Sequence, residues 1–199
     1  MDRKKQNLDV YSQNASSFAE KFDRIGPRVA DVREVFSLIS KENPSVLELG
    51  CGNGRDASEI LKYTNNYLGL DFSPALIELA RKANPKGNFQ IADFENFEFP
   101  KDLDAVFAFA SLIHTPKEVQ AAVFKKVHEA LKSRGVFFFS AKTYPQPEVV
   151  QKDEFGTRVY YSYSADDVKE LSKGVFDITK LESMGFQGQE WISAILQKP

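Results

Sequence analysis

The stretch VLELGCGNGRD, residues 46–56, sets Gly50, Gly52 and Gly54 at alternate positions behind a short apolar run. The run reads as a buried strand. Glycines directly after it strip side chains from a tight turn that opens a helix, so a ligand can approach bare backbone. A dinucleotide-binding turn, G-x-G-x-x-G, would need glycine where Arg55 stands. A phosphate-binding P-loop fails as well, because no Gly-Lys-Ser/Thr follows. Asp71 comes 21 residues after Gly50, the distance at which an acidic side chain accepts hydrogen bonds from ribose hydroxyls. In IADF, residues 91–94, Asp93 and Phe94 join a carboxylate to a ring, a means of holding an adenine by its amino group and its face. The chemistry described is that of a ligand with a ribose and no need of a pyrophosphate.

These residues need a scaffold, and the apolar pattern supplies one. Residues 45–50, 67–71, 89–93, 103–110 and 135–142 read as strands, several of them apolar almost throughout, as strands buried on both faces are. Between them, Leu76, Leu79, Ala80 and Ala83 fall at helical spacing behind Ser73-Pro74. Val119, Ala122, Val123, Val127, Ala130 and Leu131 form a second stripe, with Thr115–Glu118 as its expected capping box and Pro116 at the first helical position. Residues 11–22 and 28–40 predict two helices ahead of the first strand. Residues 143–156 carry Pro145, Pro147 and Gly156 and predict a loop, and 158–162 a short strand or part of a lid. Ser164–Asp167 caps a further helix, and residues 176–183 and 191–196 predict a final hairpin turning over 185–188. Alternating strands and helices imply a doubly wound α/β sheet with right-handed crossovers.

The whole chain narrows the classes of function. Its 199 residues, 42% hydrophobic, suit one domain with a real core. A net charge of −2 sets up no field toward nucleic acid or anionic lipid, and the cluster Arg3-Lys4-Lys5 reads as a solvated tail. No apolar run approaches the ~18 residues of a membrane helix, and no apolar leader opens the sequence. With Cys51 as the only cysteine, the expectation is a reducing cytoplasm.

Taken together, ELGCGNG, LGLDFS, IADF and DAVFAFASLIHTP resemble the successive motifs of class I S-adenosylmethionine-dependent methyltransferases, of the small-molecule type (methyltransferase domain 11/25-like). The resemblance runs from Tyr11 to about Lys142 and more loosely through the terminal hairpin. It implies a Rossmann-like seven-stranded sheet of order 3-2-1-4-5-7-6, mostly parallel with an antiparallel last strand and helices on both faces. It also implies S-adenosyl-L-methionine as cofactor. Glu48 and the glycine turn would hold the methionine moiety, Asp71 the ribose, and Asp93 with Phe94 the adenine, while Ala110 borders the sulfonium. Tyr11, Gly50, Cys51, Gly52, Gly54 and Phe72 complete the expected cofactor set. The domain then divides into an N-terminal helical lid (1–41), a cofactor-binding core (45–142) and a substrate-side loop, helix and hairpin (143–199). A sulfonium needs no phosphate cradle; the glycines serve close approach, and the helix start favours a carboxylate.

Methyl transfer asks mainly for alignment and exclusion of water, so no catalytic triad is required. His114 is the candidate base, three residues beyond Ser111 after the fourth strand; packing beneath the cofactor is the alternative. An aromatic acceptor wall is expected from Tyr11, Phe18, Tyr144, Tyr160, Tyr161 and Tyr163, with Arg158 among them to meet an anion, although YYSY also alternates like an ordinary half-buried strand. The N/D-P-P-Y loop of base-modifying amino-methyltransferases and the two-glutamate loop of protein arginine methyltransferases are missing, as is the carboxylate cluster that holds magnesium in catechol-type enzymes. The expected partner is a small-molecule methyl acceptor, with no nucleic acid, no membrane and no metal, and a monomer or homodimer as the assembly. Two rival readings stand beside this one. A nicotinamide-dependent oxidoreductase is disfavoured by Arg55; a non-catalytic cofactor-binding module would have kept the fold alone.

Overall fold

The computed structural model describes residues 2–186 and 188–199. Seven strands form one sheet: β1 (Val46–Leu49), β2 (Tyr67–Asp71), β3 (Asn88–Ile91), β4 (Leu103–Phe109), β5 (Leu131–Thr143), β8 (Asp177–Phe186) and β9 (Gln189–Gln197). Their order is β3-β2-β1-β4-β5-β9-β8. Neighbours pair in parallel through β3-β2-β1-β4-β5, and β9 runs antiparallel to both β5 and β8. This is the doubly wound topology expected, down to the antiparallel last strand. The turn expected over 185–188 includes Gln187, which lies outside the described residues.

The central strands are largely apolar because both faces are covered. Leu47, Leu49, Phe137 and Phe139 pack with Val123 and Phe124 of α6 (Lys117–Ala130) and Val168 of α7 (Ala165–Ser172). Their alternates Val46, Val136 and Phe138 face α3 (Val29–Ser37), α4 (Ala57–Ile60) and α5 (Pro74–Ala83) through Val35, Ile60 and Ile77. Ser73 caps α5 with Pro74 in the first turn, and Ser164 with Asp167 forms a reciprocal box on α7.

Four expectations are corrected. The basic tail is helical: α1 (Arg3–Gln13) starts on Asp2, whose side chain accepts from the Lys4 and Lys5 N–H groups, and Lys4 reaches Asp93 and Glu95. The single helix over 11–22 is two, α1 and α2 (Ala15–Ile25), broken at Asn14, whose side-chain amide donates to the carbonyls of Val10 (2.9 Å) and Phe155 (3.0 Å). The loop over 143–156 contains β6 (Glu148–Asp153), hydrogen-bonded antiparallel to β7 (Gly156–Tyr161). It begins just past Pro147, where the missing N–H no longer matters. Finally, Thr115 does not cap α6. Pro116 is the N-cap, extended at φ −56° and ψ 148°, which leaves Thr115 one residue too far out and its buried hydroxyl without a partner among the described residues.

Candidate functional site

A cavity of about 600 Å³ opens at the carboxyl ends of β1, β2 and β4, where open α/β sheets bind ligands. Helices α1 and α2 close it on one side and the β6–β7 hairpin on another.

The three glycines of the turn do different things. Gly50, at φ +70°, lets the turn approach the segment after β4, since a Cβ there would lie 2.3 Å from Cβ of Ser111. Gly52, at φ +55°, faces open space: an added Cβ would meet only the Phe22 ring, at 3.9 Å. Gly54 lies off the cavity wall, and its added Cβ would run into Asn84 at 2.6 Å and Ala80 at 3.1 Å. Its bare Cα thus admits the close approach of α5. Cys51 reaches the wall but is buried, and burial raises its thiol well above the ordinary range, which leaves it inert.

Asp71 ends β2 on the cavity wall, 6% exposed. It accepts from the Gly52 N–H and the Ser73 N–H, both at 2.9 Å, and so ties the turn to the start of α5. Burial pushes its carboxyl up to about 6 despite those bonds. Phe72, Asp93, Phe94 and Ala110 share the wall. Asp93 is engaged by the Lys4 ammonium and the Asn96 amide, each at 2.6 Å. Ala110 holds a left-handed φ of +52°, rare for a residue with a Cβ, and its N–H donates to the Ser140 carbonyl at 3.0 Å. Glu48 departs from expectation. It is buried behind the turn, not on the cavity wall, and takes a hydrogen bond from the Tyr67 hydroxyl. Burial, with Asp56 nearby, raises its carboxyl to about 8.

On the acceptor side, Tyr11, Phe18, His114, Arg158 and Tyr160 meet on the wall. Nδ1 of His114 lies 2.8 Å from the Val159 carbonyl, which can only accept, so this nitrogen carries the proton. Nε2 then accepts from the Tyr11 hydroxyl at 2.9 Å. Burial first, and the nearby Arg158 charge, lower the imidazole to about 4. A neutral ring bonded at both nitrogens fits a positioning role better than that of a free base. Arg158 donates to Tyr11 at 3.3 Å, pairs with Asp153, and lies over the rings of Phe18 (4.9 Å) and Tyr160 (5.4 Å). Tyr144, Tyr161 and Tyr163 are not on the wall, Tyr163 being buried in the core. Tyr144 stands behind Tyr160 at 5.9 Å, and strand alternation turns Tyr161 away from Tyr160's face.

Sequence reasoning missed Lys4, Asn7, Phe22, Lys142 and Trp191, all of which line the cavity. A signal existed for Lys142: Ser140 and Lys142 are the alternate polar positions in the otherwise apolar GVFFFSAK. Among the described residues no three His, Cys, Asp or Glu side chains are grouped for a metal, and no helix is long and apolar enough to cross a membrane.

The site suits a ribose-bearing ligand on structural grounds, with the Asp71 carboxylate on the wall beside the turn. Gly52 leaves open the volume a side chain would fill, and the buried Ser111 hydroxyl beside Gly50 has no partner among the described residues. Comparison with known proteins agrees. A family profile described as "Methyltransferase domain" matches residues 46–135. The chain is 30% identical over 152 residues to malonyl-[acyl-carrier protein] O-methyltransferase 1 of Ilyobacter polytropus, covering 72% of this chain and 55% of that protein. It thus spans about half the length of that relative. It is 26% identical over 200 residues to carboxy-S-adenosyl-L-methionine synthase of Campylobacter fetus subsp. fetus, covering 84% and 85%. A solved S-adenosylmethionine-dependent methyltransferase from Clostridium acetobutylicum superposes with a TM-score of 0.76 at 15% identity, over 92% of this chain and 98% of that one.

Proposed function

The chain belongs to the class I S-adenosylmethionine-dependent methyltransferases, and on that premise we propose that it methylates a small-molecule acceptor held between α1, α2 and the β6–β7 hairpin. The observation that carries this reading is the pairing of Gly52 with Asp71: a bare turn and a carboxylate side by side at the carboxyl ends of two adjacent parallel strands. Bound there, S-adenosylmethionine would supply a sulfonium-activated methyl group for in-line transfer to a nucleophilic atom of the acceptor, with S-adenosylhomocysteine as the leaving group.

The protein's own residues bind, orient and exclude water. Asp71 accepts from ribose hydroxyls through the lone pairs its two oxygens keep beyond the bonds from the Gly52 and Ser73 N–H groups. Phe94 offers a ring to the adenine and Asp93 an acceptor for its amino group. Gly50 and Gly52 let the methionine end lie on backbone. Tyr11, Phe18 and Phe22 roof the reacting region, and removal of water from such a site strengthens the polar contacts inside it. His114 fixes Tyr11 through one nitrogen and β7 through the other, so it acts on the roof and through it on alignment.

The test is to supply S-adenosylmethionine with panels of small acids, amines, thiols and phenols and to detect S-adenosylhomocysteine by mass spectrometry. One class should raise its formation above the rate without acceptor. Cofactor left unconsumed across every panel would contradict the proposal. A second reading rests on the near full-length similarity to a carboxy-S-adenosyl-L-methionine synthase; a carboxylated cofactor in the same spectra would favour it.

A further inference from the structure

Register places one face of β5, β9 and β8 in the cavity. Ser140 opposes Ser193, which opposes Glu182; one pleat further, Lys142 opposes Trp191, which opposes Met184. Directly opposed residues, and alternate ones along a strand, point to the same side. These six, with Phe186, all line the cavity. Toward the other end of the strands the same face is covered, since Phe138 and Ile195 pack with Val35 and Phe36 of α3. Beyond Ser140 the strip lies bare, with Met184 54% and Phe186 46% exposed at its outer end. Its inner end is Ser140, whose hydroxyl lies 3.3 Å from the Ala110 N–H in the reacting region.

Lys142 heads this strip, and its charge is not spoken for. Lys4 pairs with Asp93 and Glu95, Arg28 and Arg55 with Asp56, Arg158 with Asp153, and Glu182 with Lys180. Lys142 has no carboxylate partner among the described residues. Its ammonium is ringed by aromatics, 4.8 Å from the centroid of Tyr160, 5.6 Å from Trp191 and 5.9 Å from Tyr144. Burial, then the neighbouring Arg158, lower its pKa. The Arg158 guanidinium, 5.4 Å from the same Tyr160 ring, keeps a buried Nε–H with no acceptor among the described residues. A half-buried unpaired ammonium and an unused guanidinium donor, beside a bare apolar strip, match one kind of molecule: an anion with an apolar body.

We propose that the acceptor is an amphipathic carboxylic acid, its carboxylate held by Lys142 and Arg158 and its apolar body laid along Trp191, Met184 and Phe186 toward the open edge. The word acceptor rests on the methyltransferase reading; the acid site does not.

Trp191 is the only tryptophan and stands in the strip, so its fluorescence reports occupancy. The full chain, with S-adenosylhomocysteine present, is titrated with octanoate, octylamine, 1-octanol and acetate. Octanoate should bind about tenfold or more tighter than the amine or the alcohol, the scale of a charge-assisted contact. It should also beat acetate by a similar margin through its buried methylenes. Lys142→Met should weaken octanoate about tenfold, and Lys142→Arg should restore most of it. Calorimetry should find S-adenosylhomocysteine affinity unchanged in Lys142→Met. Equal binding of octylamine or 1-octanol, or wild-type octanoate affinity in a folded Lys142→Met variant, would overturn the acid site. The two readings fail separately. Head-group selectivity without S-adenosylhomocysteine binding removes the cofactor reading alone; S-adenosylhomocysteine binding without that selectivity removes the acid site alone.

Discussion

The side chain of Asn7 pairs with the backbone of Val159 in both directions: its amide donates to the Val159 carbonyl at 3.0 Å, and its oxygen accepts from the Val159 N–H at 2.9 Å. One buried side chain thus docks α1 on β7 as a neighbouring strand would. Tyr11, one turn along, adds the bond to His114, and Ser12 meets Ser73 at 2.9 Å. The N-terminal helices are a roof held by a few polar contacts on an aromatic seat, which is what a lid needs.

Asn7→Leu keeps the volume but leaves the buried Val159 N–H without a partner and its C=O with His114 alone, at a cost of about 1–3 kcal/mol. Amides over 3–25 should then exchange faster by roughly that margin, while the sheet's protection stays nearly unchanged. S-adenosylmethionine should slow the same amides in the wild type. Equal exchange with and without cofactor would make α1 and α2 a fixed wall.

Asp71 should make cofactor binding pH-dependent. Its carboxyl, raised to about 6 by burial, must be ionised to accept fully from the ribose. If only the ionised form binds well, affinity should fall about tenfold from pH 7 to pH 5. Asp71→Asn should flatten that dependence, and Asp71→Ala should weaken binding at pH 7 by about 1.5–3 kcal/mol. Calorimetry at three pH values checks both. A wild-type profile as flat as the Asn variant's would remove Asp71 from the site.

Glu48 predicts a stability effect of opposite interest. Its carboxyl is raised by burial to about 8 in the fold and titrates near the ordinary 4.5 when unfolded. Between those values the folded state binds more protons than the unfolded one, so stability falls as pH rises through that window and levels off above it. Glu48→Gln keeps an oxygen for the Tyr67 hydroxyl and carries no charge. The variant's melting temperature should therefore gain on the wild type from pH 5 to pH 8. A constant difference across that range would show that Glu48 does not titrate in the window.

Much of this was legible in the residues themselves. Strands such as VLEL and GVFFFSAK announce themselves because both faces are buried, and the glycine turn with Asp71 announces a cofactor end because both follow strand ends. What stayed hidden depends on distant partners. EVVQKD is two-thirds polar and follows two prolines, so its pairing as β6 comes from the β7 strand beside it. Asn7 meets Val159 across 152 residues, and Lys142 acquires Trp191 only through the antiparallel register of β9. Gly54 looks like its two neighbours in sequence; only the approach of Ala80 and Asn84 separates its role from theirs.

The central claim is that S-adenosylmethionine lies on the turn at Gly52. The most direct measurement is calorimetric titration of S-adenosylmethionine into the wild type and into Gly52→Asn, whose side chain tolerates the left-handed backbone and fills the open volume. The wild type should bind one equivalent, and the folded variant should lose at least about tenfold in affinity, a steric cost of roughly 1.4 kcal/mol or more. Wild-type affinity in the variant, or no heat of binding in either protein, would contradict the account.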